Sequence, residues 1–388
     1  MPIPALGVVI LDDNRYPATS AGYAVTAEGG RRINRLSDLA SGVVWYTSVG
    51  YKEFKNGQLY KQSNLRGDQL LRCSMSSIIH EIGLQYAPIP DQATAVFQIF
   101  QEIARYLEGN LGWNGKVFGR LDWYLNNFLG VASRQPAGSP LILAARNAHE
   151  YMTPAMVQSN PDATSRTYIA PRIPYLQALM ELPVPHLRAD WTFHPLSGQA
   201  DSNRLMAEGG LGSLFEVSIS DLDPDLAVVA PFAARQSADS DPRVWCALPE
   251  AMFYADRSNL VVRGVWRPSR VESLGDQLSG PSTGGVRLVP DRDYSYSAAL
   301  VAEALLYALL GTTSGDKPAT GREPVAAFVA AYDRLMMIRH AQKVYDAGYT
   351  PMSSACGGRL VVSLPAMAIA DLDSLCQEMG LEPPMTGS

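Results

Sequence analysis

The sequence predicts an α+β chain: a helix-rich N-terminal half built round a helical hairpin, a loop-rich antiparallel β region, and C-terminal helices. Three patterns predict it. Residues 1–60 alternate short β-branched runs with turns. Residues 92–129 carry apolar side chains at helical spacing on two successive stretches. Residues 184–295 break into short β-like runs between clusters of Pro, Gly, Asp and Ser, with no repeating βαβ order.

Taken in order, "ALGVVIL" reads as a strand closed by the turn "DDNRYP", and "GVVWYTSVGY" as a second strand. Asp68, after Gly67, is expected to cap a helix whose apolar positions are Leu71, Met75, Ile78, Ile79 and Ile82, with Gly83 ending it. Asp91 is expected to cap the first hairpin helix, with Val96, Phe100, Ile103 and Leu107 on its apolar face. Val117, Leu121, Leu125 and Phe128 mark the second. "PLILAARNAHEYM" and "IPYLQALMELP" read as helices bounded by prolines. "LFEVSIS", "LAVVAPFAA", "RVWCALPEAMFYA" and "NLVVRGVWR" read as strands. "SAALVAEALLYALLG" and "EPVAAFVAAYDRLMMIRHAQKVYDAG" read as helices, followed by a strand "GRLVVSLP" and a short helix over 366–379. The composition shift near residue 184 suggests two parts. Residues 1–183 form a mixed strand and helix domain. Residues 184–388 form a β-rich region whose closing helices pack back on the first.

Hydrophobic residues make up 47% of the 388 and charged residues only 18%. The second figure fits a large core, or a surface hidden against other copies, because interface centres are depleted in charge. The net charge of −6 argues against a general nucleic-acid binder without excluding a local basic patch. Of the 32 basic residues, 26 are arginine, and guanidinium groups suit interfaces better than ammonium groups. The four cysteines are far apart, which fits neither a disulfide framework nor a zinc spacing. No 18-residue apolar run exists and the N-terminus lacks a basic leader, so the expectation is cytoplasmic synthesis with no membrane contact.

Catalytic motifs are sparse. His80-Glu81 begins the zincin pattern, but position 84 is Leu where it needs His. Cys356 before Gly357-Gly358 has no identifiable His partner. Walker and dinucleotide patterns are absent. Asp12 and Asp13 stand at a strand end, as the Mg²⁺-holding carboxylates of nucleases and polymerases do, with Asp122 or Asp190 as candidate further ligands. Asp-Asp-Asn is equally good turn chemistry, and no metal or cofactor is expected. Arg31, Arg32, Arg35, Arg66 and Arg72 form the strongest basic cluster, interleaved with Trp45, Tyr46, Tyr51, Phe54 and Tyr60. That mixture is what single-stranded RNA binding uses. The turn Asn64-Leu65-Arg66-Gly67 resembles the RNA-gripping turn of backbone subunits in CRISPR effector complexes, although the companion glycine-rich loop is missing.

With little acid–base or metal chemistry in view, the first expectation is a non-enzymatic assembly protein. It would be a capsid-type shell or clamp subunit of a virus or virus-like particle, self-associating or bound to a second shell protein. The alternatives are an RNA-binding filament subunit using the arginines, or a metal-dependent hydrolase or nucleotidyl-transfer enzyme around Asp12 and Asp13.

Overall fold

The structure, a computed structural model, describes residues 5–70, 73–111, 139–150, 164–230, 243–279, 296–310, 319–355, 358–364 and 368–383. Its mixture of helices and mainly antiparallel sheets is the α+β class that the sequence predicts. The second hairpin helix, Arg72, Asp122 and Cys356 lie outside the described residues. The chain divides into two compact units: 1–128 with 279–306, and 129–278 with 307–388.

The first unit is built on a five-stranded sheet. Strands β1 (Ala5–Leu11), β2 (Gly22–Thr26), β3 (Gly29–Ile33), β4 (Val43–Thr47) and β5 (Leu65–Arg66) lie in the order β3-β2-β1-β4-β5. The central β1 runs antiparallel to β2 and parallel to β4. Val9, Leu11 and Trp45 form one core with Leu36, Leu39, Leu59 and Leu65. Helix α1 (Tyr51–Asn56) follows β4.

Chemistry at the helix starts departs from expectation. Gln69–Leu70 (β6) and Cys73–Ser74 (β7) pair antiparallel, so α2 (Met75–Glu81) begins later than an Asp68 cap would place it. Ser74 is its cap and accepts from the Ser77 N–H at 3.1 Å. Gly83, at φ +75°, follows the helix end as expected. Helix α3 (Ile89–Leu111) starts before Asp91, which sits in its first turn, where a carboxylate favours the helix dipole. Val96, Phe100 and Ile103 of α3 are buried, and the Phe100 ring meets Tyr46 edge-on at 5.2 Å.

The second unit begins with α4 (Pro140–Glu150), β8 (Thr164–Ile169), α5 (Arg172–Met180) and β9 (Pro183–Pro185). Next come β10 (Trp191–Pro195), α6 (Ser202–Gly209), β11 (Leu214–Ser220), α7 (Pro224–Val229), β12 (Val244–Ala247), α8 (Leu248–Ala255) and β13 (Asn259–Pro268). Strands β10-β13-β11-β12 form an antiparallel sheet in that order. Two expected strands are helical over part of their described length. Asp223 caps α7 ahead of Pro224, and Pro249 sits in the first turn of α8, where its missing N–H costs nothing. Short β14 (Val271–Ser273) pairs with β9, and α9 (Leu274–Ser279) follows. After α10 (Tyr296–Leu310) come α11 (Glu323–Asp346), β15 (Thr350–Ala355), β16 (Arg359–Leu364) and α12 (Ile369–Glu378); β15-β16-β8 make a second sheet.

Helix α11 organises this unit. Residues 323–331 are buried without a break, so the helix has no outer face along that length. Its alanines pack against buried Ala144, Ala145 and Ala148 of α4, where small side chains permit close approach. The buried carboxylates Glu250, Glu323 and Asp333 each have partners. Glu250 of α8 receives Arg334 through Nε at 2.7 Å and Nη2 at 2.8 Å, with side chains only 5% and 11% exposed. The same Nη2 donates to the Ala148 carbonyl at 3.0 Å. Glu323 pairs with Arg146 at 3.3 Å and accepts from the Thr320 N–H at 2.9 Å. Asp333 accepts from the Tyr175 hydroxyl and from the Gly358 N–H.

Removing one partner of such a pair strands a buried charge. Glu250→Gln is expected to cost about 3 kcal/mol in urea unfolding, whereas a loss near zero would mean that water reaches the pair. Burial, and then the nearby Arg334, pull the His149 pKa down to about 4. The unfolded chain therefore takes up a proton that the native chain refuses as pH falls from about 6.5 towards 4. Stability is expected to drop across that window and level off below it. His149→Phe flattens this part of the profile.

Candidate anion-binding cleft

Beyond its buried half, α11 turns a polar stripe outward. Met336, Arg339, His340 and Lys343 stand at i, i+3, i+4 and i+7, one above another on a single face. With Leu226 of α7, Phe253 of α8 and Arg257 just beyond it, they line a cleft of about 470 Å³, the size of a ligand site. Met336, Ile338 and Leu226 supply its apolar lining and Gln342 a polar edge. Among the described residues, none of those lining it is acidic.

Each cation is placed by local structure. The Arg257 guanidinium lies 4.3 Å from the centre of the Phe253 ring and gives one N–H to the Phe253 carbonyl at 3.2 Å. Its remaining donors stay available for a ligand. Arg339 and Lys343 are exposed, one turn apart. The nearby Asp346 accepts from Gln342 Nε2 at 2.9 Å. His340 carries a buried Nδ1 with no hydrogen-bond partner. Burial lowers its pKa first, and the Lys343 charge lowers it further. Three permanent cations, a neutral imidazole and an apolar wall suit a phosphate-bearing ligand, with arginines to grip oxygens bidentately.

The positions anticipated as functional lie elsewhere. Asp12 and Asp13 follow β1, as expected, but both are occupied. Arg32 bonds both Asp12 oxygens, one at 3.0 Å, and Arg15 holds Asp13 at 2.9 and 3.0 Å. Arg15 also holds the Asp13 carboxyl below its ordinary range, chiefly through its side-chain hydrogen bonds. No group of three His, Cys, Asp or Glu residues among the described ones is arranged to hold a metal. Asp190 belongs to the second unit. Arg31 bonds the Asp38 carbonyl, Arg35 pairs with Asp38, and Arg66 donates to the Ser63 and Leu65 carbonyls. Apart from Arg72, the cluster thus sits on β3, the turn after it and β5, with its guanidiniums engaged locally.

The cleft was missed because "RHAQK" near a helix C-terminus also has a bland reading, as cations complementing the helix dipole. The available signal was that Arg339, His340 and Lys343 share one face with no acid among them.

No protein-family model matches the chain, and no curated protein does. Solved structures do. Phi29 DNA polymerase complexed with primer-template DNA and incoming nucleotide is 10% identical, with a TM-score of 0.46, over 93% of this chain and 80% of that one. Its complex with single-stranded DNA gives 9% identity and a TM-score of 0.44, over 92% and 80%. The family B DNA polymerase from the hyperthermophilic archaeon Pyrobaculum calidifontis gives 10% and 0.34, over 99% of this chain and 56% of that one. Similarity at this level concerns the course of the chain and transfers no residue.

The expectation of a capsid-type, non-enzymatic, self-assembling subunit does not stand. The three solved structures above are DNA polymerases, and none of them is a capsid or virion protein. Neither self-association nor a second shell protein finds support in them. Low surface charge misled because internal burial, as around α11, produces the same composition as burial between copies.

His340 supplies a test of the cleft. It is neutral at pH 7, and a bound anion would favour its charged form. Inorganic triphosphate is expected to bind more tightly as pH falls below about 6.5, followed by calorimetry with proton uptake. His340→Ala removes that dependence and leaves binding at pH 8 intact; pH-independent binding by the unaltered chain would take His340 out of the site.

Proposed function

We propose that this chain handles nucleic acid, holding the phosphodiester backbone in the cleft of Arg257, Arg339 and Lys343. The observation that carries the reading is a ligand-sized cleft with these cations and no acid among its described lining residues. The chain's overall charge is −6, so a local concentration of positive groups marks a place where anions are drawn in. The ligand to try first is DNA, with which both phi29 polymerase structures are complexed.

Fluorescence anisotropy with a labelled primer-template DNA tests the reading. Affinity is expected to fall steeply with salt, because each neutralised phosphate releases counterions. Arg339→Ala and Lys343→Ala each lower the slope of log affinity against log salt by about 0.7 to 0.9. Absence of binding at low salt, or slopes unmoved by these substitutions, refutes the proposal. Primer extension with Mg²⁺ and deoxynucleotides on the same preparation shows whether binding is coupled to synthesis.

A further inference from the structure

We propose that the open face of the β10-β13-β11-β12 sheet is a stacking platform for single-stranded nucleic acid. The inference rests on the nucleic-acid reading above and gives it a second contact surface in the same unit.

Register places the rings. Phe193 pairs with Trp266, Trp191 with Pro268, Leu214 with Trp266 and Glu216 with Trp245. Directly opposed residues share a face, so Trp191, Phe193, Trp266 and Trp245 all stand on one side. The other side, with Phe215, Val265 and Cys246, is buried core; on the ring side Leu214 and Ala247 are buried too, so the exposed part is its β10–β13 end. A solvated sheet face is ordinarily polar, yet this one carries three partly exposed tryptophans and a phenylalanine that is 42% exposed. Phe193 is held in place. Its ring lies over Gly264, where a Cβ would come within 2.7 Å of it, and packs 5.2 Å from the Trp266 ring at 51°. Trp191 and Phe193 project roughly 7 Å apart along the strand, which leaves room for separate bases.

Charge selects the occupant. Glu216 is the sole acid in these four strands, whereas β13 carries Arg263; Arg267, opposite Thr192, falls on the other face and pairs with Glu208 at 3.7 Å. Arg263 is the extra residue where the β11–β13 register shifts, and it is exposed; so are Arg188 before β10 and Arg243 at the start of β12. Rings edged by guanidiniums match unpaired bases on an anionic backbone, since every base offers a π-face and duplex DNA hides its own.

Anisotropy with labelled oligodeoxythymidine and with a duplex of equal length provides the test. Phe193→Ala is expected to weaken single-strand binding between about 5- and 100-fold, the worth of one stacked base. Duplex binding and the salt slope stay unchanged, and Phe193→Trp restores affinity. Equal single-strand affinity in wild type and Phe193→Ala overturns the platform and makes the face a surface for protein. Equal loss on both DNAs overturns it too, as a folding effect. If the unaltered chain binds neither DNA, the nucleic-acid reading fails and the platform falls with it.

Discussion

Helix α11 is buried on every side for its first nine residues while its neighbourhood holds Glu323, Asp333 and Arg334, and the second unit is arranged to meet those charges. An ionised group taken out of water costs several kcal/mol unless it is paired and hydrogen-bonded. The unit supplies Arg146, Thr320, Tyr175, the Gly358 amide, Glu250 and the Ala148 carbonyl for that purpose. These partners come from both sides of α11 in sequence, so the charges fix the order in which α4, α5, α8 and the β15–β16 hairpin surround it. Apolar packing alone would allow the helix to rotate or slide. Directional bonds to fixed partners do not.

The same helix changes role along its length. Once its buried stretch is anchored, the direction of every later side chain is set by 100° steps. The stripe Arg339, His340 and Lys343 is thus positioned from within, by Glu250 and its companions. The cleft and the aromatic sheet face make complementary demands on a ligand: one is suited to the charge of a backbone, the other to the flat faces of bases.

Much of the architecture was legible in the sequence. The strand "ALGVVIL", the helices at 140–150 and 172–180, both C-terminal helices and the final strand all follow from periodicity and from Pro and Gly punctuation. Helix starts were less legible. Asp68 and Ser74 are both good caps, and a two-residue strand pairing chose between them. "LAVVAPFAA" reads as strand from its composition, yet Asp223 and Pro224 begin a helix there. Of the proposed sites, the basic residues of the cleft could be seen as a helical stripe. Nothing in sequence spacing could bring Arg257 and Phe253 beside them, since that closeness is tertiary. Asp12 and Asp13 show how pairing stays hidden in a sequence. Their position was read correctly, but the arginines that occupy them, Arg15 and Arg32, looked like independent features.

Gly358 has a wider consequence. It adopts φ +66°, and a Cβ there would come within 2.8 Å of Ala170 while its N–H is committed to Asp333. Tyr175, Asp333 and Gly358 therefore constrain one another as a set: a side chain at 358 needs a displaced hairpin, and a displaced hairpin abandons Asp333. In chains that have drifted beyond recognition by overall sequence, substitutions at these three positions should occur together or not at all. That makes the trio a means of recognising distant kin by correlated change.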